Sequence, residues 1–420
     1  MWLNKEKKRR CFVSITAVLI PTLLWCSVSW LLPNDLTLVE GEKTEIATQL
    51  PISAKTEESI GVLGVTTKPL ADAFHLELGS SITANPIQAG TTKITFYLCN
   101  AVPIKTIDAT VIPKTTLVPV GKTVGVSLDT KGLLVLGTGQ VYKEENDSVE
   151  PCKGFLKTGD LLLEANGKAL INKEALIDVV TRCNGQKIDV LLERQGEQKH
   201  VTLTPVFSQV EQAYKLGIWV RDSIQGIGTI TYYDPNSNQF GALGHGVYDV
   251  DTGELMIIKN GSLIASELTN IVKGKKGEPG ELTGTIQRED VIGDVKKNTD
   301  VGIYGTLNQP SEFNGEALSI GLKQEVKIGK AEILSNIEGE NIEKYEIEIE
   351  SLGKGNGKDM MIHVTDKRLL EKTGGIIQGM SGSPIIQNGQ LIGAVTHVLV
   401  NDPERGYGTF IETMLQEMNK

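Results

Sequence analysis

The chain has 420 residues, and its 42 Lys and Arg against 52 Asp and Glu give a net charge of −10. This length suits two or three domains, and the acidic balance argues against a nucleic-acid partner. With 40% hydrophobic and 22% charged residues, the composition is typical of a folded protein and excludes a disordered one. The 45 glycines, set against 5% aromatic residues, favour a turn-rich and mainly β protein.

The N-terminus combines a basic start with an apolar segment. Five basic residues occur in the first ten positions, and residues 11–32 then carry no charge. A helix of this length would extend about 33 Å, enough for a bilayer core of about 30 Å. Residues 1–32 are therefore predicted to be a cytoplasmic start and a transmembrane signal-anchor, with the rest exported. A cleaved signal peptide is the alternative, and it also exports the remainder.

Cysteine and histidine are sparse and scattered. The five cysteines contain no CxxC pair, and the five histidines show no metal-ligand spacing. The sequence therefore predicts no metal, no other cofactor and no disulfide framework.

Two segments after the anchor give only coarse predictions. Residues 33–60 are polar and acidic with little periodicity, which predicts an exposed tether. Residues 61–117 contain alternating runs at 93–98 and 106–112, which are typical of strands. We expect a small β-rich module there, without an assigned function.

Residues 118–207 have a pattern that predicts several strands and one helix. Strands are predicted at 123–128, 132–136, 161–164, 187–193 and 199–204, with a helix at 172–182. The run Gly-Phe-Leu-Lys-Thr-Gly-Asp-Leu-Leu-Leu-Glu-Ala-Asn-Gly at 154–167 resembles a PDZ domain. This resemblance implies a peptide groove between the strand at 125–128 and the helix, where a partner's terminus adds as a strand. Val124, Gly125 and Val126 would present backbone N–H groups to the carboxylate. A spacer without a ligand is the alternative.

Residues 208–420 carry two glycine-rich motifs between predicted hairpins. Gly-His-Gly at 244–246 follows strands at 227–233 and 240–243, and Gly-Met-Ser-Gly-Ser-Pro at 379–384 precedes a hairpin with an Asn-Gly turn. Glycines permit dihedrals that aim two N–H groups, here of Gly379 and Ser381, at one point. Such a pair is an oxyanion hole. Ser381 would be the nucleophile and His245 its base.

The order of these motifs resembles a chymotrypsin-like serine peptidase, which implies a double β-barrel. The strands at 391–397 and 406–410 resemble the walls of the substrate site, and 411–420 resembles the closing helix. Position 375, six residues before Ser381, carries a glycine and not an acidic residue. The sequence therefore does not support a substrate preference for Arg or Lys.

Two aspartates compete for the third triad position. Asp300 has the spacing expected between the histidine and the serine of chymotrypsin-like chains. Asp366 lies 15 residues before Ser381 and has a structural alternative, because it could cap a helix at 367–372. Topology by itself favours Asp300.

The complete chain is similar to the SpoIVB peptidases of endospore-forming bacteria. The resemblance lies in the order of anchor, PDZ domain and peptidase, in Gly-His-Gly at 244–246, in Val-Thr-Asp at 364–366 and in Gly-Gly-Ile-Ile-Gln-Gly-Met-Ser-Gly-Ser-Pro at 374–384. It implies a triad of His245, Asp366 and Ser381, with Asp300 as the rival.

The same resemblance implies a signalling role in sporulation. Such peptidases are exported from the forespore into the space between its two membranes, where they cleave their own N-terminal segment. They then cleave the regulatory subunit of a membrane metalloprotease complex and so trigger pro-sigma-K processing. We expect self-cleavage in the predicted tether. A catalytically silent, membrane-tethered PDZ signalling scaffold is the alternative from another class, and a general envelope stress protease is a third.

Overall fold

The computed structural model describes residues 29, 32–48, 50–56, 62–72, 75–145, 147–313, 315–353 and 357–419. The chain divides into two compact units, Met1–Thr115 and Thr116–Lys420. In the described ranges, no helix is both long enough and apolar enough to cross a membrane. The anchor predicted at 1–32 lies outside the described residues, apart from Ser29 and Leu32.

The first unit is built from two β-sheets around one apolar core. The sheet orders are β1-β7-β6-β3 and β2-β5-β4, with β1 parallel to β7. Buried Leu38, Ile82 and Phe96 are part of the core, to which both sheets contribute. The strands are β1 (Asp35–Val39), β2 (Thr44–Thr48), β3 (Ile52–Thr56), β4 (Leu63–Asp72), β5 (His75–Pro86), β6 (Gly90–Leu98) and β7 (Val102–Ile112).

The predicted tether at 33–60 is wrong, because β1, β2 and β3 lie in it. Leu36 and Leu38 of β1 and Ile52 and Ala54 of β3 are buried, two residues apart in each strand. Both strands are only five residues long and mix polar with apolar residues, so the sequence gives little strand signal there. The strands predicted at 93–98 and 106–112 are confirmed as parts of β6 and β7, which pair antiparallel.

The second unit contains two barrels and an inserted subdomain. Its first elements are β8 (Thr116–Pro119), β9 (Thr123–Thr138), β10 (Val141–Glu144), β11 (Asp147–Val149), β12 (Leu161–Ala165), β13 (Lys168–Ala169), α1 (Lys173–Arg182), β14 (Ile188–Arg194), β15 (Glu197–Leu203), β16 (Val206–Ser208), β17 (Ala213–Lys215), β18 (Ile218–Tyr233), β19 (Gln239–Ala242), β20 (Ile258–Val272), β21 (Glu281–Thr299) and β22 (Gly302–Leu307). The later ones are a 3₁₀ helix (Pro310–Glu312), β23 (Leu318–Ser319), β24 (Gly329–Ser335), β25 (Glu343–Leu352), β26 (Met360–Val364), α2 (Lys367–Thr373), β27 (Pro384–Gln387), β28 (Gln390–Leu399), β29 (Asp402–Phe410) and α3 (Ile411–Asn419).

Six of the described strands close each barrel. In barrel 1 the order is β9-β20-β21-β22-β19-β18, and β18 pairs with β9 to complete the ring. Barrel 2 has the order β24-β25-β26-β29-β28-β27. Each barrel has its own core, with Val124, Leu128 and Phe240 in the first and Ile333, Met360 in the second. The double β-barrel predicted from the sequence is therefore present.

A PDZ-like subdomain, residues 132–220, is inserted between two strands of barrel 1. The first half of β9 pairs with β20 and β18 in the barrel, whereas its second half pairs with β12 in the subdomain. α1 begins after Asn172, whose side chain accepts a hydrogen bond from Ala175 N at 2.9 Å. Its buried residues Leu176, Val179 and Val180 pack on the sheet, as the sequence predicts.

This insertion corrects the predicted domain boundaries of 118–207 and 208–420. Residues 123–128 belong to barrel 1 and not to the PDZ-like subdomain, and the subdomain extends to 220. The cause is that β9 and β18 are each 16 residues long and run through both structures. The sequence suggested two separate strands because polar residues interrupt β9 at 129–131.

Candidate active site

Ser381 lies in a tight turn, residues 378–383, which precedes β27 in barrel 2 and is called the serine turn below. Its flanking glycines have positive φ angles, +96° at Gly379 and +99° at Gly382. A Cβ atom on Gly382 would approach Thr229 O to 2.0 Å, so only glycine fits there. Ser381 Oγ donates a hydrogen bond to Thr396 O at 2.7 Å, which holds the hydroxyl against β28.

The same turn leaves two backbone N–H groups unused. Met380 N donates to Ile377 O at 3.1 Å, but the N–H groups of Gly379 and Ser381 donate to no other described residue. They are the two groups that the sequence analysis assigns to the oxyanion hole. Because buried backbone donors are nearly always paired, two free N–H groups beside a serine are suited to bind an anionic oxygen.

His245 follows β19 at the end of barrel 1. Its Nδ1 lies 2.8 Å from Gly246 O, and since a carbonyl only accepts, Nδ1 carries the proton. The Nε2 atom is then an acceptor, as a general base requires. Burial lowers the pKa of His245 below its usual value, and the bond to Gly246 O offsets part of this effect.

The segment after His245 is held by Asn298. Its Oδ1 accepts from Val247 N at 2.9 Å, and its Nδ2 donates to Val247 O at 2.8 Å and Met256 O at 3.0 Å. These bonds tie the loop that follows the histidine to β21. No local sequence pattern marks this asparagine.

His245 and Ser381 line one cleft between the two barrels, with a volume of about 560 Å³. The described contacts include no hydrogen bond between the two side chains. Aliphatic residues from both barrels form much of the lining, and no Asp, Glu, Lys or Arg occurs among the described lining residues. The aliphatic part consists of Val126, Leu128, Ile224, Ile227, Leu243, Val247, Val250, Ile376, Ile377 and Val398.

A second imidazole, His397, lies beside the first. The two ring centroids are 4.8 Å apart with an interplanar angle of 36°. Burial is the main cause that lowers the pKa of His397, to about 4. The positive charges of His245 and Lys358 contribute to the same shift. Both rings are therefore held in the neutral form near neutral pH.

The structure does not bring Asp366 to His245. Its carboxylate caps α2, with Oδ1 accepting from Arg368 N at 2.9 Å and Oδ2 bonded to the Arg368 guanidinium at 2.9 Å. Burial raises the pKa of Asp366, but the guanidinium and backbone N–H groups outweigh this and hold it below its usual value. The helix-capping alternative is therefore confirmed, and the triad role of Asp366 stays a prediction.

Asp300 lies beside the histidine segment but does not bond to the ring. Its backbone O accepts from Gly246 N at 3.1 Å, and its Oδ1 accepts from the Tyr248 hydroxyl at 2.7 Å. Neither candidate carboxylate forms a hydrogen bond with His245 in the described contacts. In this geometry the backbone carbonyl of Gly246 takes the orienting role.

The predicted peptide-binding residues Val124, Gly125 and Val126 are wrong. They lie in barrel 1, where Gly125 pairs with Ile227 of β18 on one side and Ile264 of β20 on the other. Both backbone edges are therefore occupied, and no peptide strand can be added there.

A groove of the expected type exists elsewhere in the PDZ-like subdomain. A cavity of about 530 Å³ lies between α1, through Leu176, Ile177 and Val180, and residues 216–220. Residues 218–220 pair with β9 on one edge, and no described strand covers the other edge. Leu216-Gly217-Ile218, before an alternating strand, was the signal that the sequence analysis missed, because the domain boundary was placed at 207.

Several solved structures are similar to parts of this chain. A PDZ domain of an SdrC-like protein from Listeria monocytogenes is 18% identical over 21% of this chain and 87% of its own, with a TM-score of 0.18. Rv3671c from M. tuberculosis H37Rv, an inactive serine-to-alanine mutant, is 16% identical over 47% of this chain and 83% of its own, with a TM-score of 0.26. The search of curated proteins gives no match.

The peptidase part of the chain has a clear family match. The family model described as SpoIVB peptidase S55 matches residues 212–415, which include His245, Asp366 and Ser381. This range covers most of barrel 1 and all of barrel 2. Residues 212–415 therefore match the SpoIVB peptidase family S55, which supports a serine peptidase of sporulation.

Proposed function

We propose that this protein is a serine endopeptidase in which Ser381 is the nucleophile and His245 the general base. The observation that carries the proposal is the shared cleft, in which both side chains lie beside the two free N–H groups of Gly379 and Ser381. A scaffold has no need of this combination.

The reaction follows from the positions of these groups. Ser381 Oγ attacks the peptide carbonyl carbon while its proton passes to His245 Nε2, and the carbonyl oxygen becomes an oxyanion held by the two N–H groups. The imidazolium then protonates the leaving amine, and water hydrolyses the acyl-enzyme by the same route. Ser381 must first rotate its hydroxyl away from Thr396 O, to which it donates at 2.7 Å.

The acid of the triad is proposed from the family resemblance as Asp366. Its present contacts are with Arg368 and the N-terminus of α2, so this role requires a rearrangement of α2. Asp300 is the alternative acid. It lies beside the segment that carries His245, because its backbone O accepts a hydrogen bond from Gly246 N. Asparagine variants at both positions compare the two, because a true triad acid loses about 10⁴-fold in kcat when it becomes the amide.

The cleft lining supports a preference for uncharged substrates. No charged side chain lines the described cleft, and aliphatic groups dominate both walls. Burying a substrate charge against such walls without a partner is costly. We propose that the residues flanking the scissile bond are apolar.

The biological role is proposed from the family resemblance. The protein would be anchored by residues 1–32, exported from the forespore, and would cleave itself and the regulatory subunit of the sigma-factor-processing metalloprotease complex. The groove between α1 and residues 216–220 would hold a peptide terminus, from the protein's own N-terminal segment or from the partner. Such cleavage would trigger pro-sigma-K processing. Because β1 to β3 are folded, we assign self-cleavage to no particular segment.

The test compares the full chain with its Ser381→Ala variant in detergent. We would follow intact mass with time, alone and with the ectodomain of the partner subunit. Shortening of the wild type at its N-terminus, with an intact alanine variant, supports the peptidase. If both chains stay whole and neither cleaves the partner, the PDZ signalling scaffold replaces it. Broad cleavage of unfolded proteins would favour a general envelope protease.

A further inference from the structure

Thr229 of β18 makes contacts that the proposed mechanism does not yet use. Its side chain is fully buried. The Oγ1 hydroxyl donates to Gly379 O at 2.7 Å, and its backbone N–H donates to Ser381 O at 2.9 Å. One residue of barrel 1 therefore holds the serine turn of barrel 2 at two points, on either side of Met380.

These bonds complete a row of four anchored carbonyls in the turn. Leu282 N donates to Gln378 O at 2.8 Å, and Ser383 N donates to Met380 O at 3.0 Å. In a trans peptide the N–H points opposite to the C=O, so these two bonds direct the N–H groups of Gly379 and Ser381. The carbonyls of Gly379 and Ser381 alternate along the turn with those of Gln378 and Met380. Thr229 donates to both of them.

The hydroxyl of Thr229 differs from the other three donors, which are backbone N–H groups that a substitution leaves in place. Gly379 has a φ of +96° and no Cβ, so its backbone has little intrinsic resistance to rotation. Without the hydroxyl, the buried Gly379 carbonyl loses its partner, and an unsatisfied buried acceptor favours any rotation that regains one.

We propose that Thr229 is a positioning residue of the oxyanion hole, whose hydroxyl keeps the Gly379 and Ser381 N–H groups aimed at one point. This inference rests on the proposed peptidase function and deepens it. The residue touches no substrate. It acts through the backbone of the serine turn, so it affects the transition state and leaves ground-state binding unchanged.

The test measures the rate at which a fluorophosphonate probe labels Ser381 in the full chain. Thr229→Val removes the hydroxyl at nearly constant volume. Loss of a complete oxyanion donor costs about 10²–10³-fold, and here both donors remain but lose one anchor, so we expect a labelling rate about tenfold lower. Thr229→Ser keeps the hydroxyl and should label at close to the wild-type rate.

The chain offers a matched control in the same strand. Thr231 is also fully buried, but its hydroxyl has no partner among the described residues. Thr231→Val should therefore label like the wild type. If Thr231→Val slows labelling as much as Thr229→Val does, the effect is a general one of strand substitution and the proposal is overturned.

A second readout separates positioning from general damage to the fold. A peptide boronic acid forms a tetrahedral adduct on the serine, with an oxygen at the oxyanion position. Its affinity should fall about tenfold in Thr229→Val, whereas the KM for a cleaved peptide should stay unchanged while kcat falls. Equal affinities for the boronic acid in wild type and variant would overturn the proposal.

Two further outcomes have a defined meaning. If Thr229→Val does not fold, the Thr229→Ser and Thr229→Ala variants differ only in the hydroxyl, and equal rates in these two overturn the proposal. If the wild type is not labelled, or Ser381→Ala is labelled equally, the peptidase function itself fails, and the role of Thr229 falls with it.

Discussion

The His245 ring is oriented by a backbone carbonyl and not by a carboxylate. The 2.8 Å contact with Gly246 O selects the Nδ1–H tautomer, which is the one that a triad aspartate selects in other serine peptidases. A carbonyl dipole does this without a full negative charge, so it raises the basicity of the ring less than a carboxylate would. As a general base, His245 would therefore be weaker than a histidine paired with a carboxylate.

The pH dependence of activity tests this arrangement. Burial places the pKa of His245 below its usual value of 6.5, and the base acts only when neutral. If Gly246 O and no carboxylate orients the ring during catalysis, we expect kcat/KM to rise with pH and to reach half of its plateau below pH 6.5. The measurement is the pH profile with a peptide substrate. A midpoint at or above 6.5 would contradict orientation by the carbonyl and would support a carboxylate partner, Asp366 or Asp300, in the active state.

Asp366 has a structural role whatever its part in catalysis. Removing an N-cap side chain costs about 1 kcal/mol of stability, and we add little for the pair with the largely exposed Arg368. Asp366→Ala should therefore lower the free energy of unfolding by about 1 kcal/mol at pH 7. Because the folded-state pKa of Asp366 is lowered, this difference is present above the unfolded pKa and disappears as the pH falls through the folded one.

Urea unfolding of both proteins across pH provides the measurement. Asp366→Asn is the control, since asparagine also caps helices and should keep most of the stability. A loss in Asp366→Ala that grows as the pH falls would contradict the capping explanation.

At the scale of single elements, β18 contributes to the groove, to the cleft and to the anchoring of the serine turn. Its first residues, 218–220, form one wall of the groove next to α1. Its middle contributes Ile224 and Ile227 to the cleft, and Thr229 near its end binds the serine turn. A single strand, with register shifts at 219–223, therefore connects the groove to the cleft.

The groove assignment predicts a matched pair of surface variants. Ile177 lines the groove and is 61% exposed, whereas Ile171 is equally exposed but does not line it. We expect Ile177→Glu to weaken binding of a hydrophobic peptide with a free C-terminus by about tenfold, at unchanged stability, because the glutamate repels the carboxylate and removes apolar contact.

Fluorescence anisotropy with a labelled peptide measures this effect, and Ile171→Glu is the control. If both variants bind as the wild type does, the groove between α1 and residues 216–220 is not the peptide site.

For the whole molecule, the two units have separate cores. Phe96 and Leu38 belong to the core of the first unit, and the barrels and the PDZ-like subdomain have their own clusters. Barrel 1 and the subdomain share β9 and β18, so these two parts should unfold together. The first unit shares no strand with them in the described residues.

This division predicts that residues 116–420 fold without the first unit. We expect the shortened chain to unfold in a cooperative thermal transition and to keep fluorophosphonate labelling of Ser381, because each core is complete within its unit. Circular dichroism and labelling measure both. An unfolded shortened chain would show that the peptidase part depends on the first unit.

The cleft between the barrels predicts how specificity can be changed. Val398 lines it, and Val400 lies just beyond β28 outside the lining. Val398→Asp should slow cleavage next to aliphatic residues and raise cleavage next to Arg or Lys, by about tenfold in their ratio, because the carboxylate provides a partner for a positive side chain. Peptide-library profiling measures the ratio. Val400→Asp is the control, and an equal change there would point to a long-range charge effect.

The sequence by itself determined the local features of this protein. The alternation in β6 and β7, the Asn-Gly turn between β27 and β28, the cap and apolar face of α1, and the glycine-rich serine turn follow from residues close together in the chain. Their signals are local because periodicity and special dihedrals depend only on neighbours. The motifs at 244–246 and 374–384 likewise indicated the peptidase family.

Only the tertiary structure decided which distant residues meet. A 16-residue strand shared by a barrel and an insertion looks like two strands in sequence, so the peptide groove was predicted at 124–126 and not at 216–220. The contacts of Thr229 with a turn 150 residues later, and of Asp366 with α2 and not with His245, depend on strand pairing across the molecule. Long-range pairing depends on the complete set of cores and edges, and no short segment contains that information.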